Sequence, residues 1–181
     1  MRKISVLMAG LVVICFSCKK EDKEPQYNGE IVLSSEILQS GLDYVFYGFS
    51  FETGEISTYS LKDAPPDLAA IHVILGENMT VDLSSSDDQD AFHKNSNFST
   101  STEAEVYFTN YGEVLTTDFQ PLAQSIKENQ VWTVQTAKNN FAKIWIREIT
   151  VKTGSTSDFA EIRIQYQYQP DGSRTFDCNC N

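Results

Sequence analysis

The sequence contains few of the residues from which enzyme and metal sites are commonly built. Its 181 residues include only two histidines and four cysteines. It has no lipase-type Gly-x-Ser-x-Gly turn, no phosphate-cradling glycine loop and no zinc-protease helix motif. We therefore expect a protein that is not an enzyme.

Cysteine is too scarce for a disulfide framework. Cys178 and Cys180 are separated by one residue, so on a strand their side chains would point to opposite sides and seldom join. No histidine lies near them, which argues against a structural zinc site. We expect two idle thiols there, with a soft metal site or an intermolecular bridge as the alternative.

Positive charge is also scarce. The chain has 14 Lys and Arg against 25 Asp and Glu, a net charge of −11. Removal of residues 1–17 would take away two positive charges and no acids, leaving 12 against 25, or −13. Nucleic-acid binding relies on lysine and arginine to neutralise phosphates, so we exclude nucleic acid as a partner.

The apolar run at the N terminus, residues 4–16, is too short for a transmembrane helix, which needs about 20 residues. Two basic residues precede the run, and Ser17 and Cys18 follow it. This order predicts a signal peptide over residues 1–17. A lipoprotein signal peptidase requires a small residue before the cysteine, so we predict that Cys18 carries the lipid and anchors the mature chain in a membrane. Ordinary secretion is the alternative.

Six charged residues, KKEDKE, follow Cys18. They resemble the lysine- and acid-rich tag of surface lipoproteins in some Gram-negative bacteria; a solvated tether is the alternative. Both interpretations predict a flexible tether over residues 18–30 and leave residues 31–181 as a single domain. We expect the protein to be lipid-anchored at the outer membrane or cell surface.

Alternating apolar and polar residues predict β-strands along most of the domain. From Ala160 to Tyr168 every second residue is apolar, which is typical of a half-buried antiparallel strand. Residues 141–153 predict a strand with a bulge near Glu148, and residues 131–137 predict another. We therefore expect an all-β fold of antiparallel sheets, sandwich-like, with one short helix.

Other segments are less regular. The apolar run of residues 69–75 predicts a central strand, and residues 174–176 follow a Pro-Asp-Gly turn that predicts a hairpin return. Residues 118–129 are the best helix candidate, because Asp118 could cap the N terminus and Pro121 would lie in the first turn.

The polar stretch between Val81 and Thr102 predicts a long loop. His93 lies in this stretch, beside Phe92. Its acid cluster consists of Asp87, Asp88 and Asp90. We interpret these acids as solvated, with calcium binding or general-acid chemistry as the alternative.

Two parts of the domain resemble the HmuY-type family of surface haem-binding lipoproteins. In that family a YAKI strand precedes a strand that ends in YQPDGS, and this chain has FAKI at residues 141–144 and YQPDGS at residues 168–173. Nearer the N terminus, an aromatic strand with Thr-Gly precedes a buried segment in the family; here FETG at residues 51–54 and PDLAAI at residues 66–71 correspond. The resemblance spans most of residues 44–176.

The resemblance implies an all-β, lipid-anchored protein that binds haem in a cleft between loops. Family members hold the iron with a pair of axial side chains, histidine in some and methionine in others, and both bind haem iron. After removal of residues 1–17 the remaining histidines and methionine are His72, His93 and Met79, which makes them the candidate ligands of the haem iron. Haem or a haem-carrying protein would be the partner, and an outer-membrane transporter could receive the cargo.

Each candidate also has an ordinary structural interpretation: His93 as an exposed loop residue, His72 as a sheet histidine and Met79 as packing. Another tetrapyrrole or hydrophobic ligand is a further alternative. The competing class is a surface-anchored β module that binds glycan or protein without haem, and a purely structural lipoprotein is the third possibility. Aromatic platforms for such a module would come from Tyr107, Tyr111, Trp132, Trp145, Tyr166 and Tyr168.

Overall fold

The computed structural model describes residues 27–40, 43–60, 67–75, 78–85, 89–154 and 158–176. The predicted signal peptide, Cys18, most of the tether, Asp87, Asp88, Cys178 and Cys180 lie outside the described residues. Within the described residues, antiparallel strands dominate and a single short helix is present, which confirms the predicted fold class. This part of the chain contains no helix long and apolar enough to cross a membrane.

The elements follow one another as β1 (Asn28–Ser34), β2 (Leu38–Ser40), β3 (Asp43–Ser50), β4 (Glu55–Ser60), β5 (Leu68–Leu75), β6 (Asn78–Ser84), β7 (Phe92–Asn97), α1 (Ser101–Asn110), β8 (Leu122–Ala123), β9 (Gln130–Gln135), β10 (Phe141–Thr153) and β11 (Asp158–Gln169). Residues 28–30, which the sequence assigned to the tether, are the start of β1 because they pair with residues 165–167 of β11.

Sheet A has five strands in the order β1-β11-β10-β9-β7. Strands β9, β10 and β11 form the predicted antiparallel meander. The register of β10 against β11 shifts between Ile146 and Glu148, which confirms the predicted bulge. The alternation in β11 is confirmed as well, since every second residue from Ala160 to Tyr168 is buried.

Sheet B has six strands in the order β2-β3-β5-β6-β8, with β4 paired to β3. Strand β5 pairs with both β3 and β6, which confirms the predicted central strand. A hydrophobic core lies between this sheet and the inner face of sheet A. In this core Phe49 and Phe51 pack on Tyr166 of sheet A, with ring centroids 5.0 and 5.7 Å apart.

Part of the outer face of sheet A is also covered. Helix α1 places Ala104 and Phe108 on Val131 and Trp145. Beside it run residues 111–119, which we call the strap, and residues 174–176, which we call the C-terminal arm. Side chains from both join an outer cluster, which consists of Val114, Phe119, Phe141 and Phe176. Sheet A is thus buried on both faces around β9 and the start of β10, and this accounts for the unbroken run of buried residues at the start of β10.

The predicted helix over residues 118–129 is wrong. This segment contains turns and the short strand β8. Phe119 packs in the outer cluster, whereas Ala123 and Ile126 lie in the core between the sheets. The segment therefore passes from one layer to the other, and a helix could not bury side chains in both.

The predicted loop between Val81 and Thr102 is also wrong in part, because β6 extends to Ser84, β7 occupies six residues and α1 begins at Ser101. The predicted hairpin return of the C-terminal arm is likewise incorrect. Thr175 forms a bridge with Glu113 of the strap, because the burial of Phe176 draws the arm onto the outer face of sheet A.

Candidate functional site

His93 lies on β7 at the outer face of sheet A. The preceding residue, Phe92, is buried in the core between the sheets, and side chains alternate along a strand, so His93 faces the strap. The imidazole meets the edge of Phe119, with ring centroids 6.3 Å apart and the planes inclined at 69°. His93 is therefore a half-buried strand residue and not an exposed loop residue.

The strap fixes the orientation of the His93 ring. Its Nδ1 lies 2.9 Å from the carbonyl oxygen of Asp118 and 3.2 Å from the hydroxyl of Thr116. A carbonyl oxygen can only accept a hydrogen bond, so Nδ1 carries the hydrogen and Nε2 of the neutral ring presents a lone pair. Among the described residues Nε2 has no hydrogen-bond partner.

The C-terminal arm in turn holds the strap. The guanidinium of Arg174 donates from Nε to the carbonyl oxygen of Val114 at 2.7 Å, and a second nitrogen donates to the carbonyl oxygen of Thr116. The two segments also form a short antiparallel ladder. In it the Val114 N–H donates to the Arg174 carbonyl and the Phe176 N–H donates to the Gly112 carbonyl. Sequence reasoning missed Arg174, because its partners are main-chain atoms.

A polar and aromatic cluster continues the site along β7 and β9. Asn95 and the hydroxyl of Tyr111 both bond to the Thr133 hydroxyl, at 2.9 and 3.1 Å, and Thr133 is the register partner of His93. Tyr111 stacks on Tyr107, with ring centroids 5.7 Å apart and an angle of 18°. Burial raises the pKa of Tyr107, and Tyr111 adds to this effect.

Lys143 closes the cluster beneath the end of α1. This lysine is 1% exposed, and its Nζ donates to the carbonyl oxygens of Phe108 and Tyr111 at 2.7 and 2.8 Å. The ammonium also lies 5.2 Å from the ring centroid of Phe176. A cation at this position complements the partial negative charge at the C-terminal end of a helix.

His72 and Met79 lie on neighbouring strands of sheet B, whereas His93 lies in sheet A. The backbone register places His72 opposite Val81 and Met79 opposite Ile74. Their side chains are outside the described part of the structure. The two sheets are linked close to His93, because Gln120 bridges to Phe92 and β8, which follows, pairs with β6.

No family model matches the chain, and no curated protein or solved structure matches it either. Among the residues that the structure describes, no group of three or more His, Cys, Asp or Glu side chains is arranged to hold a metal ion. A functional assignment therefore rests on the geometry around His93 and on the surface of sheet A.

Most of the aromatic residues proposed as a platform are core residues. Trp132, Trp145, Tyr166 and Tyr168 are each 5% exposed or less. Only Tyr107 and Tyr111 of that set are half-buried. Of the six aromatic residues named from the sequence, the structure therefore leaves one stacked pair, formed by Tyr107 of α1 and Tyr111 at the start of the strap.

A separate polar groove of about 380 Å³ lies between the end of α1 and the outer face of β1 and β11. Asn28, Gln165 and Arg147 line it, together with Glu30. The Glu30 carboxylate accepts from Arg147 at 2.6 Å and from Arg163 at 3.0 Å. The hydrogen bond from Arg163, reinforced by Arg147, lowers the pKa of Glu30. The groove thus offers side-chain amide groups beside a cluster in which the charge of Glu30 is neutralised by two arginines.

Proposed function

We propose that the protein is a lipid-anchored, non-enzymatic haem-binding protein of the HmuY type at the outer membrane or cell surface. The observation that carries the proposal is the orientation of His93. A histidine that ligates a metal commonly donates its other ring N–H to a carbonyl or carboxylate, which fixes the tautomer and strengthens the donor nitrogen. The Asp118 carbonyl supplies this contact, and Nε2 is left with its lone pair.

The residues near His93 fit a porphyrin in a second respect. Leu115 of the strap is 80% exposed and directly precedes Thr116, which contacts the imidazole. In the proposed complex this exposed apolar side chain of the strap would contact the apolar edge of the macrocycle. Bound haem would supply an iron whose axial positions accept imidazole or thioether ligands. We propose His93 as one ligand. Met79 and His72 stay the sequence-derived candidates for the other, although their strands pack against the opposite face of sheet A from the strap.

Titration of the purified protein with hemin tests this proposal. We expect a Soret band that saturates with hemin, and we expect His93→Ala to weaken hemin binding at least about tenfold, since a ligand nitrogen is lost. Met79→Ala and His72→Ala, measured in parallel, would identify the second ligand. Lys94→Ala changes the next residue on β7 and serves as the control. Absence of a Soret band in the wild-type protein, or full affinity in His93→Ala, would refute the proposal.

The polar groove supports a second candidate function, the binding of a glycan. Asn28 and Gln165 offer amide groups, and Arg147 and Glu30 offer charged donors and acceptors, all of which hydrogen-bond readily to hydroxyl groups. The groove lies on strands β1, β10 and β11, away from the strap. A protein that gives no Soret band but loses glycan binding on Gln165→Ala would favour this second function.

A further inference from the structure

The part of the strap that contacts His93 has little main-chain support of its own. Between Val114 and Gln120, the described residues make no hydrogen bond from backbone to backbone. Within the strap, the Thr116 hydroxyl accepts from the Asp118 N–H at 3.0 Å, which forms a local turn. Burial of Phe119 fixes one end of this stretch. Another group must therefore hold the turn in place over the imidazole.

Arg174 is in position to do so. Its guanidinium donates to the carbonyl oxygens of Val114 and Thr116, on either side of Leu115, and its Cζ lies 5.0 Å from the centroid of the Phe141 ring. The planar guanidinium presents several N–H groups in a fixed fork, so it can hold two acceptors at once, which a single ammonium on a flexible stem does less well. Phe141 belongs to β10, so Arg174 connects the strap to sheet A through its hydrogen bonds and this ring contact.

We propose that Arg174 is a positioning residue for the His93 ligand. By holding the Thr116 carbonyl, Arg174 keeps the Asp118 carbonyl, two residues further on, against Nδ1. It thereby sets the tautomer in which Nδ1 carries the hydrogen and Nε2 keeps its lone pair for the iron. This inference rests on the proposed function for its biological meaning. Its physical content, control of the His93 tautomer by Arg174, applies to the protein without haem.

The tautomer of His93 can be measured directly from the imidazole nitrogen chemical shifts of the protein without haem, at a pH where the ring is neutral. We expect the Nδ1–H tautomer to dominate in the wild-type protein. In Arg174→Met, which keeps packing on Phe141 but removes the donors, we expect the Nε2–H tautomer to become the major form, because the ring tautomer follows its hydrogen-bond partner. Arg163→Met, an exposed arginine elsewhere on sheet A, is the matched control and should leave the wild-type ratio unchanged.

Two results would overturn the inference: a wild-type ring that is mainly Nε2–H, or a folded Arg174→Met protein that keeps the wild-type ratio. The first measurement needs no variant, so a mainly Nε2–H ring in the wild-type protein would overturn the inference even if Arg174→Met failed to fold. Hemin affinity, measured separately, should fall about 10- to 100-fold in Arg174→Met. If hemin does not bind the wild-type protein but the tautomer still depends on Arg174, the haem proposal fails and the positioning role stands.

Discussion

Two cations in the outer layer of sheet A bond to main-chain carbonyl oxygens. Lys143 reaches the end of α1, and Arg174 reaches the strap. Both join segments that are distant along the chain: Lys143 lies 35 residues from Phe108, and Arg174 lies 60 residues from Val114. Each hydrogen bond to a charged donor of this kind stabilises a fold by roughly 1.5–3 kcal/mol. Since any residue has a carbonyl oxygen, the sequence gives no sign of which one a lysine or arginine will contact.

Replacement of Lys143 by methionine should destabilise the protein. The substitution preserves most of the side-chain volume but leaves the Phe108 and Tyr111 carbonyls without this donor, so we expect a loss of roughly 1–3 kcal/mol in the free energy of unfolding. Urea denaturation monitored by tryptophan fluorescence measures it. Lys152→Met is the control, because Lys152 pairs with Glu161 at the exposed end of β10 and should change stability by about 1 kcal/mol or less. Equal stability of the wild-type and Lys143→Met proteins would contradict this view.

Helix α1 shows why the strands were easier to predict than the helix. The strands repeat apolar residues at every second position, as in β11. The helix buries only Ala104 and Phe108, so its apolar stripe is weak, and its serine- and threonine-rich start resembles a loop. The usable signal was the capping box, in which Thr100 accepts from the Glu103 N–H and the Glu103 carboxylate accepts from the Thr100 N–H. Residues 118–129, by contrast, contain an aspartate and a proline of the kinds that often begin a helix, but they form no helix.

The capping box is expected to determine the stability of α1. Thr100→Ala removes the hydroxyl that accepts from the Glu103 N–H at 3.2 Å, and we expect a loss of about 1 kcal/mol in the free energy of unfolding. Thr102→Ala, an exposed threonine in the same turn, is the matched control and should not show this loss. Circular dichroism during urea denaturation measures both. If both variants lose the same stability, the cap is not the cause.

At the scale of the whole molecule, the described residues form a sandwich of two sheets with a partial third layer on sheet A. The sequence predicted the all-β class and the C-terminal meander because alternation is a local pattern. It did not predict the third layer, since the strap and the C-terminal arm owe their positions to contacts such as the bridge from Glu113 to Thr175. The surroundings of His93 are built from that layer, so they could not be predicted from the sequence either.

Attachment to the membrane is predicted to depend on Cys18, which lies outside the described residues. Cys18→Ala should abolish labelling by a palmitate analogue and release the protein from the membrane fraction, because stable anchoring requires the acyl chains. Cys15→Ala, a neighbouring cysteine inside the predicted signal peptide, is the control and should remain labelled. Labelling that persists in Cys18→Ala would exclude this residue as the acylation site.

The contact between strap and C-terminal arm also determines when the proposed ligand site can be complete. Arg174 follows Thr116 by 58 residues, so a chain exported with its N terminus first delivers His93 and the strap well before the arginine that holds them. During translocation the imidazole would be untethered and free to take either tautomer. In the proposed lipoprotein, competence to bind haem would then arise as one of the last events of maturation, after export of the unfolded chain.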